Sequence, residues 1–329
     1  MTSTIPSKQQ SKPARRILCV GAAVLDTLFR VDVIPAGQGK VLPTDMLQIA
    51  EGMASSAAYA VARLGGSASI WGAVGDDETG ERIIGDLAAS GIDTAGMRCV
   101  AGARSAVSTI LIDDAGERLI IPFYDPRLHH GVQPVSAEDI AAFDAVLVDV
   151  RWPELALKTL LAAREAGIPA ILDGDVAPEG VIEMLGPAAS HIIFSQPAAE
   201  RLTGASDPVS IVRQLKETFA HAFVSVTFGE RGSYWFDDDD ALIRHLEAPR
   251  IRAVDTLAAG DIFHGTFALM LCEGMAVEDV MRSSSMAAAI KCRTFGGRIG
   301  APDRAELDEA LTSWPARAVD VTRPADQAV

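Results

Sequence analysis

The run Asp255-Thr256-Leu257-Ala258-Ala259-Gly260-Asp261 precedes a helical pattern over Ile262–Glu273. Small residues at a helix start let the first amides approach an anion, and the helix dipole favours negative charge there. Asp261 falls in that first turn. Its carboxylate could take a proton from an attacking hydroxyl while the amides near Ala259 and Gly260 stabilise charge on a transferring phosphoryl group. Taken alone, a small-residue turn ending in Asp serves equally as a helix N-cap.

The surrounding pattern supplies a scaffold for such a site. Short apolar, β-branched runs at Ile17–Gly21, Ala68–Val74, Ala145–Asp149, Ala170–Asp173, His191–Phe194 and Ala222–Thr227 read as strands. Helical patterns at Ser55–Leu64, Thr79–Ser90, Pro153–Ala166, Ala198–Thr203 and Ser210–Phe219 lie between them. This alternation predicts an α/β fold with a doubly wound, mostly parallel central sheet and helices on both faces. Two stretches break the rhythm: Phe29–Ile34 with Lys40–Ala50, and Ala106–Asp113 with Glu117–Tyr124. The second pair is joined by Asp114-Ala115-Gly116, a hairpin turn. These segments, about 29–50 and 106–124, predict a small accessory sheet that covers the site as a lid and mediates homodimerisation. Residues 17–314 read as one domain that includes this lid, with flexible tails expected at 1–16 and 315–329.

Composition excludes several classes. The net charge of −15 argues against general nucleic-acid binding. No uninterrupted apolar run reaches the roughly 18 residues of a membrane span. Four scattered cysteines form neither a metal-ligand pattern nor a disulfide framework, which points to a cytoplasmic protein. A dinucleotide-dependent dehydrogenase would suit the alternation, but no G-x-G-x-x-G follows the first strand.

DTLAAGDIF resembles the D-T-x-G-A-G-D-x-F signature of the ribokinase (PfkB-type) family, with Ala258 where the family usually has Gly. Three further segments are similar to family elements in the same order: EGMASSAAYAVARLGG, WGAVGDDETG and VTFGERGSYWF. The resemblance implies an ATP- and Mg2+-dependent sugar kinase with Asp261 as base and Ala258, Ala259 and Gly260 in the anion-binding turn. It places Asp26, Gly52 and Ser56 on the sugar, and Thr227, Gly229, Gly232 and the helix around Ala287–Cys292 on the nucleotide. The family's N-x-x-E is replaced by Ser195-Gln196-Pro197-Ala198. Ser195 and Asp173 then remain on the triphosphate side, with Asp173 as the carboxylate for Mg2+, and analogy adds a potassium-type site at Asp255.

Some departures, among them FSQPAAERLTG and KCRTFGGRIGAPD, are similar to the sulfofructose kinases. That likeness implies 6-deoxy-6-sulfofructose as substrate, its sulfonate held by Lys40 and Arg151 through charge-assisted bonds. Pro122 stands where that branch uses an Asn, and proline offers no donor. The alternatives are a neutral-sugar or nucleoside kinase on the same fold and, from another class, a non-catalytic sugar or nucleotide sensor.

Overall fold

The computed structural model describes residues 13–37, 39–132 and 134–322. In chain order the strands are β1 (Arg16–Val20), β2 (Val24–Arg30), β3 (Asp45–Glu51), β4 (Ser67–Trp71), β5 (Ala73–Gly75), β6 (Arg98–Val100), β7 (Val107–Ile112), β8 (Arg118–Phe123), β9 (Ala145–Val148), β10 (Ala170–Gly174), β11 (His191–Ser195), β12 (Phe223–Thr227), β13 (Ser233–Asp237), β14 (Leu242–Leu246) and β15 (Val319–Asp320). The α-helices are α1 (Met53–Arg63), α2 (Glu78–Ala89), α3 (Ala137–Ile140), α4 (Pro153–Ala166), α5 (Val181–Leu185), α6 (Gln196–Thr203), α7 (Pro208–Thr218), α8 (Ala259–Cys272), α9 (Val277–Lys291) and α10 (Arg304–Ser313).

The main sheet runs β15-β14-β13-β12-β11-β10-β9-β1-β4. It is parallel from β4 to β12 and antiparallel from β12 to β15. Period-2 alternation explains why its central strands are apolar throughout. Leu18, Val20, Val146, Val148 and Leu172 face one core with α4 and α7, while Ile17, Cys19, Ala145, Leu147 and Ile171 face the other with α1, α8 and α9. Helices therefore cover both faces, as the alternation predicts.

Three boundaries differ from the sequence reading. The run Ala68–Val74 divides at Gly72, where the chain leaves the main sheet and β5 pairs with β6. The lid's first strand is Val24–Arg30, not Phe29–Ile34, and the described residues of 31–44 form no strand; Pro35, Gly37, Gly39 and Pro43 interrupt them. Residues 315–322 are an ordered part of the fold rather than a tail. There β15 extends the main sheet, and Arg282 donates to the Trp314 and Ala316 carbonyls at 2.6 and 2.9 Å. Residues 1–12 and 323–329 of the expected tails lie outside the described residues.

The lid is a four-stranded sheet, β3-β2-β7-β8, around Leu28, Ile49, Ile110 and Ile112. Its β7–β8 hairpin turns at Asp114-Ala115-Gly116, where Gly116 N donates to the Asp113 carbonyl at 2.9 Å and Gly116 has φ 81°. Strand β8 is exposed along its length and contains Pro122, which an edge strand tolerates.

Candidate functional site

The candidate site residues of the main sheet (Arg151, Asp173, Ser195 and Thr227) lie at the carboxyl ends of its parallel strands, where open α/β sheets place their crevices. Asp149, just after β9, organises this end, and the sequence reading missed it as a site residue. Its Oδ2 accepts from the amides of Ala22 (2.7 Å) and Ala54 (3.2 Å), and its Oδ1 from Arg151 N (2.8 Å). One buried carboxylate thus joins the turn after β1, the start of α1 and the start of α4. Gly52 closes the same corner with φ 112°, and a Cβ there would lie 2.5 Å from the Ala22 carbonyl oxygen.

Asp26, on β2 of the lid sheet itself, accepts from Ser108 Oγ of β7 at 2.5 Å. Burial, reinforced by the charge of Glu51, pushes its carboxyl up to about 7. Glu51 replaces a family glycine and is itself buried, with its carboxyl pushed up by desolvation. Its Oε2 accepts from Ser56 Oγ at 2.5 Å and its Oε1 from Arg298 N at 2.7 Å. The sequence places Ser56 on the sugar. The structure instead buries Ser56 completely and uses its hydroxyl on Glu51.

A pH-dependent stability follows from Asp26. The unfolded chain releases this proton near pH 4, whereas the folded protein holds it until about 7, so stability falls as pH rises between those values. Asp26→Asn is expected to melt above wild type at pH 8 but not at pH 4, while binding sugar more weakly. Equal melting shifts at both pH values would contradict this reading.

The Asp255–Asp261 turn lies near this cluster, close enough for the charge of Glu51 to act on Asp261. Ala258 adopts the left-handed conformation, φ 60° and ψ 7°, and caps α8. That conformation explains the family preference for Gly here, since a Cβ costs about 1 kcal/mol or more in this region. Asp261 is the third residue of α8 and partly exposed. Burial raises its carboxyl well above the ordinary range, with Glu51, Asp175 and Asp149 adding like charge. One turn on, His264 lies 2.6 Å from the Gly260 carbonyl through Nδ1 and is held neutral by burial.

Asp173 ends β10, buried, with His264 Nε2 at 3.5 Å. Its carboxyl is pushed strongly upward by burial and by Asp261 and Asp175. Asp175 is more accessible, paired with Arg151 at 3.2 Å and accepting from Ser195 Oγ at 2.8 Å. Ser195 also caps α6, which accounts for a hydroxyl there without a triphosphate. Among the described residues no preformed cluster of three metal-binding side chains exists. Mg2+ normally takes only one or two carboxylates together with phosphate oxygens, and the mutual repulsion of Asp173, Asp175 and Asp261 suits a divalent counter-charge.

On the other side of the turn a cleft of about 610 Å³ is lined by Thr227, Gly229 and Gly232, by Ala259 and Gly260, and by Ala288 and Cys292 of the α9 end. The expected nucleotide residues and the anion-binding turn therefore share one cavity. The lid tip reaches it through Ala115–Glu117, and Arg118 donates to Thr256 Oγ1 at 2.6 Å. The sequence reading passed over Arg118, which belongs to no short motif.

The expected Lys40–Arg151 pair is not preassembled. Arg151 bonds Asp175 and the Val176 carbonyl (3.1 Å), and Lys40 lies exposed without an ion pair among the described residues. Arg151 still acts electrostatically on Tyr124 together with Asp26 and Asp261, which sets it in the same neighbourhood. Asp255, expected to ligate potassium, is buried with its oxygens already engaged. Oδ1 accepts from Leu257 N (2.8 Å), Oδ2 from Gly296 N (3.0 Å) and Gly297 N (2.9 Å), and the carbonyl from Lys291 Nζ (2.7 Å).

The fold is that of the ribokinases, and the family match and relatives define a phosphotransferase that uses an alcohol acceptor. The chain belongs to the pfkB family of carbohydrate kinases, which it matches over residues 14–304. The ribokinase of Bacillus subtilis (strain 168) is 27% identical over 304 residues, covering 91% of this chain and 100% of that protein. A fructokinase of Klebsiella pneumoniae is 30% identical, covering 71% of this chain and 78% of its own length. A crystal structure from Agrobacterium tumefaciens, provisionally assigned as a ribokinase, superposes with TM-score 0.90 at 61% identity, covering 92% and 98%. The Arabidopsis thaliana ribokinase solved with ribose and ATP shares the fold at TM-score 0.77 and 22% identity, covering 91% and 99%.

Proposed function

We propose that the protein transfers the γ-phosphoryl group of ATP to a hydroxyl of a ketose with an anionic end, of the 6-deoxy-6-sulfofructose kind. The observation that carries the kinase reading is the shared position of Ala259 and Gly260: they line the nucleotide cleft and begin the helix that bears Asp261. Asp26 orients sugar hydroxyls as an acceptor once ionised. Asp261 takes the proton of the attacking hydroxyl as its oxygen bonds to the γ-phosphorus and the bridge to the β-phosphate breaks, releasing ADP. The amides of the turn stabilise charge on the transferring oxygens. Asp173 and Asp175 are the carboxylates that would hold Mg2+, which would supply charge neutralisation on the phosphates.

The anionic end would exchange Asp175 for itself on Arg151, a guanidinium fork suited to a tetrahedral anion, with Lys40 arriving from the lid segment. That Arg151 is already paired with Asp175 favours a second reading, in which a neutral ribose- or fructose-like sugar binds and the pair persists. Coupled ADP release against sulfofructose, fructose, ribose and a nucleoside panel separates the two. Preference for sulfofructose supports the first, and preference for a neutral sugar supports the second. Silence throughout returns the chain to a sensor.

Homodimerisation belongs to the same proposal. The lid leaves Leu119, Ile120, Ile121 and Phe123 exposed on an edge strand, an apolar surface that a second lid would cover. Sedimentation velocity reads it directly, and a monomer at micromolar concentration contradicts it.

A further inference from the structure

The Asp255 corner is built around a lysine. Lys291 is the last residue of α9, and its side chain is fully buried. A cation at a helix C-terminus is favoured by the dipole, and here it is also aimed at the start of the phosphate-binding turn. Its Nζ donates to the Asp255 carbonyl at 2.7 Å and stands 3.3 Å from Asp255 Oδ2. The same carboxylate takes the amides of Gly296, Gly297 and Leu257, so the ammonium completes a shell that locks three segments together. The chain just before the turn is fastened to the same helix end, where Val254 N donates to the Cys292 carbonyl at 2.8 Å.

These residues do not fit a potassium ion at Asp255. A buried monovalent cation is held by oxygens that replace its hydration shell, the role played by carbonyls in potassium filters. The Asp255 carbonyl and Oδ2 already receive a positive charge, and a second cation on them would meet the first at contact distance.

We propose that the Lys291 ammonium is a covalently held substitute for a monovalent cation at Asp255. Lys291 is a positioning residue. It fixes the carbonyl from which the Asp255–Ala258 turn departs, and so the places of the Ala259 and Gly260 amides, without touching substrate. The consequence is a kinase whose turnover is indifferent to potassium. This inference rests on the kinase reading, and its test includes a readout that does not require turnover.

Wild-type turnover is to be measured in chloride salts of potassium, sodium and choline at equal ionic strength, alongside melting curves in each salt. Rates within about two-fold and superimposable melting curves are expected, because no cation binds the native state selectively. Strong activation of wild type by potassium, or a potassium-dependent rise in its melting temperature, would overturn the proposal. In Lys291→Ala, kcat is expected to fall about a hundred-fold through misplacement of the turn, with a smaller change in the KM for ATP. Potassium or ammonium should restore part of that rate and raise the melting temperature of this variant alone. Loss of rate that neither ion restores, in a variant that still folds, also counts against it. If Lys291→Ala does not fold, the wild-type salt series decides. If wild type turns over no sugar, the kinase reading fails, while the melting series still tests the cation site.

Discussion

Asp261→Asn should lower kcat by about a thousand-fold, within the 10²–10⁴ range of general-base contributions, and leave ATP affinity nearly unchanged. Asn is close to isosteric and removes a charge that is already poorly tolerated, since burial and the neighbouring Glu51, Asp175 and Asp149 all oppose ionisation of Asp261. The turn amides, the cleft and α8 would remain in place, so nucleotide binding reads the integrity of the site while kcat reads the proton acceptor. Near-normal turnover would mean that the proton goes elsewhere. The raised proton affinity of Asp261 also sets the sign of the pH profile. The free enzyme must lose this proton to act as base, so kcat/KM should rise with pH above the ordinary carboxylate range.

Arg151→Met should raise KM for an anionic ketose by about ten- to a hundred-fold, the worth of a charge-assisted pair of bonds at a partly desolvated site. For a neutral sugar KM should move by no more than about three-fold, since Arg151 then remains on Asp175. The ratio between the two substrates matters more than either value. Freeing Asp175 adds unscreened negative charge near Asp173 and Asp261, and that penalty is common to both. Equal changes for both substrates would remove the anion pocket and keep the kinase.

What could be read from the sequence divides along physical lines. The six parallel strands are legible because both faces are buried, which leaves uninterrupted apolar runs such as Ile17–Val20 and Ile192–Phe194. Helix α4 is legible to its ends, with Pro153 at its start and Gly167 in the left-handed conformation just after it. Strands at the antiparallel end of the sheet are less so. Leu242–Leu246 contains Arg244 and His245, and Val319–Asp320 is held by pairing rather than by its own pattern. Asp26, Gly52, Arg151, Thr227, Gly229, Gly232 and Asp261 could be named as candidates because they lie in contiguous motifs. Glu51 and Lys291 could not, since their meaning comes from partners far away in the chain. Arg298 meets Glu51 across 247 positions, and Lys291 meets Asp255 across 36. Substitution of a family glycine by Glu51 is the one local signal, and only the fold shows that it takes up the Ser56 hydroxyl.

The most direct test of the central claim is phosphorus NMR of the products formed from Mg-ATP and the preferred sugar by wild type and by Asp261→Asn. The account predicts ADP and a sugar phosphomonoester in equal amounts from wild type, and almost none from the variant despite retained ATP binding. Free phosphate without a sugar ester, or undiminished ester from the variant, would contradict it.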